Sequence, residues 1–354
     1  MQIDPDRVRE YVQSLYMTKI VLVYGDEGIA ALRHVMEHLR KLFQFLAADS
    51  IRGSLIVYKA IDGASVIHPE WVSISALEHI TLEGPFKESS ILNIECCSDG
   101  TLKYSKDAKL DLSSLSQRAI VYLYSNRQDT IYVKGNAELI INPCPAYASL
   151  FCVPTYSLVK DALEDYKRKS IRTSNCPVFG GCWYGGRYGP RLFFKQKPEA
   201  TMRSSLATFL GHVLRDADVG EEQNVDESHP VDIRVTWIGN NQRGLIEIKW
   251  LGQSVDDSGR KTTAYSEARA QDGAKQLADY IDKERARLPL HGRRGYLVII
   301  DGRRRGLSEG CTTLDPESGL WYQDEEITFN PAFHQIRDDF AIPFRMFAEP
   351  RSRN

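Results

Sequence analysis

The chain has 354 residues, is 42% apolar and 26% charged, and carries a formal net charge of −2. That is ordinary globular composition with length enough for two domains, and it excludes a uniformly basic nucleic-acid binder. No run of eighteen apolar residues occurs, so no membrane span is expected.

The first residues, MQIDPDRVREYV, are charged and lack an apolar h-region, so no signal peptide is expected there. Residues 4–16 read as a short helix, and TKIVLVYG (18–25) as a strand stopped by Gly25. In 27–47, Ile29, Leu32, Val35, Leu39, Leu42 and Phe45 recur at helical spacing. From about 51 to 145 short β-like runs follow: SLIVYKA, SVIHPEWVSIS, AIVYLYS, TIYVKG and AELIIN. Residues 155–170 read as helix. The segment NCPVFGGCWYGGRYGPRLFF is rich in Gly and aromatics and reads as a packed linker, although its rings could stack on bases. It sets an expected boundary near 190. Residues 1–190 form an N-terminal α+β domain that binds a partner, DNA or a signal, and 191–354 form the second domain.

The second half is more legible. Glu199 to Arg215 is a helix with an apolar stripe of Met202, Leu206, Phe209, Leu210, Val213 and Leu214. A polar strand at about 219–225 precedes VDIRVTW (231–237) and LIEIKWL (245–251). An Ala-rich helix covers 264–287, and GYLVIID (295–301) is a buried strand. The order is αβββαβ.

Strand side chains alternate between faces. Val231, Ile233, Val235, Trp237, Ile246, Ile248 and Trp250 share one face; Asp232, Glu247 and Lys249 share the other. A two-residue turn centred on Asn240-Asn241 would set Asp232 opposite Lys249 and diagonal to Glu247, about 7–8 Å away at the backbone. Two carboxylates aimed at one point repel unless a cation sits between them, and hard oxygen ligands suit Mg²⁺ or Mn²⁺. Such an ion acidifies water and stabilises charge on a phosphate, while Lys249 orients the water or neutralises the phosphate.

Pro230-x-Asp232, fourteen residues, then Glu247-Ile248-Lys249 resembles the PD-(D/E)XK nuclease superfamily, with one extra residue between Pro and Asp. The resemblance covers roughly 196–305. It implies a restriction-endonuclease-like core in which Asp232 and Glu247 bind Mg²⁺ or Mn²⁺ and Lys249 assists hydrolysis. It also implies a further metal ligand at Glu199 and a supporting Gln276, with Tyr280 one turn on.

Seven arginines (285, 287, 293, 294, 303, 304, 305) lie near Asp301. Arginine forks suit phosphate oxygens, so Arg293, Arg294, Arg303, Arg304 and Arg305, with Tyr280, are expected to grip nucleic acid. The expectation is a Mg²⁺-dependent DNA endonuclease. By architectural analogy it fits bacterial restriction or antiviral defence, with a protein partner or a homo-oligomer for control. The alternatives are a non-catalytic nuclease-fold scaffold in a multiprotein complex, or an RNase; the plainer reading of the motif is an Asp232–Lys249 pair across an exposed hairpin face. The seven cysteines (96, 97, 144, 152, 176, 182, 311) contain no C-x-x-C pair, so neither a disulfide framework nor a zinc finger is expected, and the cytoplasm is the expected location. GRKTT (259–263) lacks the upstream Gly of a phosphate loop.

Overall fold

A computed structural model describes residues 5–48, 51–62, 71–74, 91–140, 149, 151–152, 155–214, 217–224, 230–237, 242–289 and 291–351. The chain is mixed α/β, with two multi-strand mixed sheets, and divides near residue 158 into two compact units. Among the described residues no helix is long and apolar enough to cross a membrane.

The first unit begins with α1 (Pro5–Phe45), interrupted at Gly25 with φ 67°. The expected strand TKIVLVYG is therefore helical. Its β-branched run suggests a strand, but a strand would put Ile20 and Leu22 on one face. Ile20 is fully buried and Leu22 is 81% exposed, which is helical geometry. The remaining elements are β1 (Ser54–Ala60), β2 (Val72–Ile74), β3 (Ile91–Cys96), β4 (Leu102–Lys106), α2 (Leu112–Leu115), β5 (Ala119–Ser125), β6 (Gln128–Val133) and β7 (Asn136–Ile140). The sheet order is β2-β4-β3-β1-β5-β6-β7, with β1 and β3 parallel. The structure adds β3 and β4 to the expected runs. Most of SVIHPEWVSIS lies outside the described residues; Val72–Ile74 within it is strand. Ile20, Leu32, Val35, Leu39 and Leu42 of α1 pack against Leu55, Val57, Ile94, Ile120 and Tyr122 of the sheet.

Next in the chain come α3 (Tyr156–Tyr166), a π turn at Lys167–Ile171 and α4 (Pro177–Gly180). The second unit continues with β8 (Phe194–Lys195), α5 (Glu199–Val213), β9 (Ala217–Asn224), β10 (Pro230–Trp237), β11 (Gln242–Val255), β12 (Lys261–Tyr265), α6 (Glu267–Arg287) and β13 (Gly292–Asp301). It ends with α7 (Pro316–Leu320), α8 (Phe333–Ile336) and β14 (Phe344–Phe347). Strand order is β14-β13-β11-β10-β9, and the far end of the long β11 also pairs with β12 and β8. Val231, Ile233, Val235, Trp237, Ile246, Ile248 and Trp250 are all buried. Helix α6 buries Ala270, Ala274, Leu277, Ala278 and Ile281 with Leu245, Leu297 and Ile299 of the sheet. Small residues let it approach closely.

The division falls about thirty residues before the expected boundary near 190. The physical reason lies in the Gly-aromatic segment, which supplies core to the second unit. Trp183 and Phe194 are fully buried and stacked, centroids 4.2 Å apart, and Phe194 meets Trp250 edge-on at 5.4 Å. Phe194→Leu retains most of the apolar volume and loses the ring pairing. It is expected to cost about 0.5–1.5 kcal/mol in denaturant unfolding; an unchanged midpoint would refute the stacking account.

Candidate active site

Strands β10 and β11 pair as Ile233↔Ile246, Arg234↔Leu245 and Thr236↔Arg243. This register is shifted by two residues from the expected one. Asp232 thus comes opposite Glu247, and Lys249 takes the diagonal. The two-residue turn proposed at Asn240-Asn241 lies outside the described residues. A shift of two preserves every side chain's face, so Asp232, Glu247 and Lys249 still share one.

The recorded ladder ends at Ile233↔Ile246, and the Asp232 carboxylate takes over one backbone group beyond it: the Ile248 N–H donates to Asp232 Oδ2 at 2.8 Å. Glu247 is 2% exposed and Lys249 5%. Lys249 Nζ donates to Glu247 Oε1 at 2.5 Å. The other oxygen, Glu247 Oε2, is buried with no hydrogen-bond partner. Burial, then the neighbouring Asp232 charge, pushes the Glu247 carboxyl up to about 7, with Lys249 and Arg269 opposing. Burial also raises the Asp232 carboxyl, against the Ile248 N–H, Lys249 and Arg203.

Two further arginines belong here. Arg203, on α5 one turn from Glu199, reaches Asp232 Oδ1 at 3.2 Å and approaches Glu221 at 3.7 Å. Arg269, in the first turn of α6, reaches Glu199 Oε1 at 3.2 Å and lies over the Tyr265 ring at 4.7 Å. Sequence reasoning missed both. The available signals were the i, i+4 spacing of Glu199 and Arg203 and the counter-charge that buried acids require.

Lys249 runs along α6 at Gly273. A Cβ at 273 would stand 2.5 Å from Lys249 Cγ and 3.1 Å from Leu297 Cδ1. Gly273→Ala would gain about 1 kcal/mol of helix propensity. The crowding at Lys249 is expected to outweigh that gain, for a net loss of about 1–2 kcal/mol in denaturant unfolding. A more stable variant would disprove the close fit.

Gln276 donates to the Tyr280 hydroxyl at 2.5 Å and, among the described residues, makes no hydrogen bond to Asp232, Glu247 or Lys249. Glu199 is not gathered with the other two acids: among the described residues no three Asp, Glu, His or Cys side chains form a metal-holding group. The remaining pair still fits a hard divalent cation, which is commonly held by one or two carboxylates with water completing its shell. The unpartnered Glu247 Oε2 beside Asp232 is the observation that carries this fit.

Most of the expected phosphate-gripping side chains are turned inward. Arg303 is buried, spans Asp301 and Glu267, and meets Glu325 at 3.2 Å. Arg304 is buried and donates to the carbonyls of Arg303, Arg191 and Ala348; burial pulls its guanidinium down to about 9. Arg293 is buried and donates to the carbonyls of Leu288 and His291. Tyr280 is 2% exposed. The fold places these four side chains largely in the interior. Arg294 is half-buried, with a 3.3 Å bond to the Asp338 carbonyl. Arg305 is exposed and lies 3.8 Å from the Trp321 ring centroid.

No family model, curated protein or solved structure matches this chain.

Proposed function

We propose that the second unit is a divalent-cation-dependent nuclease that hydrolyses phosphodiester bonds in DNA, an endonuclease with a PD-(D/E)XK-type site. The supporting observation is Lys249 Nζ against one Glu247 oxygen with the other unpartnered, and the Asp232 carboxylate on the adjacent Ile248 N–H. In this reading Asp232 and Glu247 hold Mg²⁺ or Mn²⁺. When bound, such a cation neutralises phosphate charge and acidifies water. Lys249, kept in place by Gly273 and Glu247, presents its ammonium to the attacking water or to a phosphate oxygen. Arg203 and Arg269 hold Asp232 and Glu199 and add positive charge at the rim. Gln276, bonded to Tyr280, has no part in this reading.

One observation favours the scaffold reading: Asp232, Glu247 and Glu199 each already face a cation, Arg203, Lys249 and Arg269. Cleavage of supercoiled plasmid with Mg²⁺, blocked by chelator, decides between the two. Parallel assays on single-stranded RNA separate a DNase from an RNase. No cleavage of either polymer, together with no Mn²⁺ binding by calorimetry, would leave the scaffold. Restriction or antiviral defence under control by a partner or a second copy is the setting we propose for such an activity, by architectural analogy alone.

A further inference from the structure

Two arginine guanidiniums lie against one exposed ring in the second unit. Tyr188 is 76% exposed. The Arg187 guanidinium lies 5.5 Å from its centroid and that of Arg351 5.8 Å. Arg351 also donates to the Tyr188 carbonyl at 2.7 Å, and its backbone N–H to the Pro190 carbonyl at 3.0 Å. Arg191 is near enough to both for their charges, after burial, to hold its guanidinium below the usual arginine range. The neighbouring acid, Glu349, accepts a 2.6 Å bond from Arg172. Arg187 and Arg351 are thus brought to one ring by the fold, and an external anion relieves such a gathering of like charge. The loop is fixed from beneath: Tyr184 N–H donates to Phe193 O and Gly186 N–H to Trp183 O, and Trp183 is fully buried. A second ring, Tyr184, is 39% exposed in the same loop.

We propose that this surface binds single-stranded polynucleotide, with phosphates on Arg187 and Arg351 and a base against Tyr188. Guanidinium forks take phosphate oxygens, and an open aromatic or guanidinium face takes an unstacked base. A duplex keeps its base faces stacked, so the ring selects single strands. The inference goes beyond the proposed cleavage and does not depend on it.

The test is fluorescence anisotropy of labelled oligo(dT), oligo(rU) and duplex DNA on the full chain, in chelator so that cleavage plays no part. Single strands are expected to bind more tightly than duplex. Tyr188→Ala should weaken that binding about ten-fold, whereas Tyr188→Phe should bind as wild type. Arg187→Glu should weaken binding and reduce its salt dependence by about one phosphate contact. An effect on either oligonucleotide supports the proposal and identifies the sugar. Wild-type affinity in both Tyr188→Ala and Arg187→Glu, with circular dichroism confirming their fold, would overturn it. So would polyglutamate competing as strongly as oligonucleotide, since the surface would then fit an acidic protein segment.

Discussion

Glu247→Ala is expected to lower the initial rate of Mg²⁺-dependent plasmid cleavage by at least about 10²-fold. Loss of an outer-shell partner of a metal ligand already costs about 10–100-fold, and in the proposed reading Glu247 is a ligand itself. Its two oxygens do different things: Oε1 accepts from Lys249, and Oε2 is buried without a protein partner. Alanine removes both, so Lys249 loses the group that aims its ammonium. A glutamine side chain at this position would keep the size and the bond geometry while removing the charge, so Glu247→Gln is expected to match Glu247→Ala in rate loss while retaining the wild-type fold. Comparable cleavage by wild type and both variants, on the same plasmid and at the same Mg²⁺ concentration, would sink the assignment. Loss of activity accompanied by loss of near-ultraviolet dichroism in Glu247→Ala alone would point to a structural effect, and Glu247→Gln then carries the test.

The second large effect is on stability. The Glu247 carboxyl is raised from its ordinary 4.5 to about 7 by burial and by Asp232. The folded chain therefore holds this proton more firmly than the unfolded chain. Between those values folding takes up a proton, so the group's contribution is fully present below about pH 4.5 and is lost as pH rises through about 7. The raised Asp232 carboxyl acts in the same direction. For Glu247 alone the loss is on the order of 3 kcal/mol. A divalent cation requires the charged carboxylates and offsets the cost of burying them. Thermal unfolding should therefore show a larger Mn²⁺-induced rise in midpoint at about pH 8 than at about pH 5, where protons compete. An equal rise at both, or a larger one at the lower pH, would contradict the proposed site. Glu247→Gln should abolish most of the pH-dependent part.

The shared face of the three residues was legible in the sequence because the pattern has a period of two. Asp232, Glu247 and Lys249 share a face in any register that slips by an even number, so the observed two-residue shift leaves the trio intact. Choosing among those registers required the loop, which alternation does not describe. The burial of Arg293, Arg303 and Arg304 was not legible, for a different reason. Whether Arg303 faces water depends on Asp301, Glu267 and Glu325, and nothing in a local run of arginines reports that these acids surround it. TKIVLVYG misled because β-branched residues suit a strand, while the register of burial across Ile20 and Leu22 is a tertiary property. GGCWYGGRYG held two roles in one segment: Trp183 is core and Tyr188 is surface, a distinction that composition averages away.

The fit between Lys249 and Gly273 has an entropic side. A free lysine samples many rotamers, and fixing them costs roughly 1.5–2 kcal/mol. Here the stem already lies between the glycine notch of α6, Leu297 and Glu247. That ordering is completed when α6 docks on the sheet, before any ligand arrives. An incoming phosphate would meet an ammonium that has little motion left to lose. In the proposed reading the helix would contribute to recognition by having no side chain at one position.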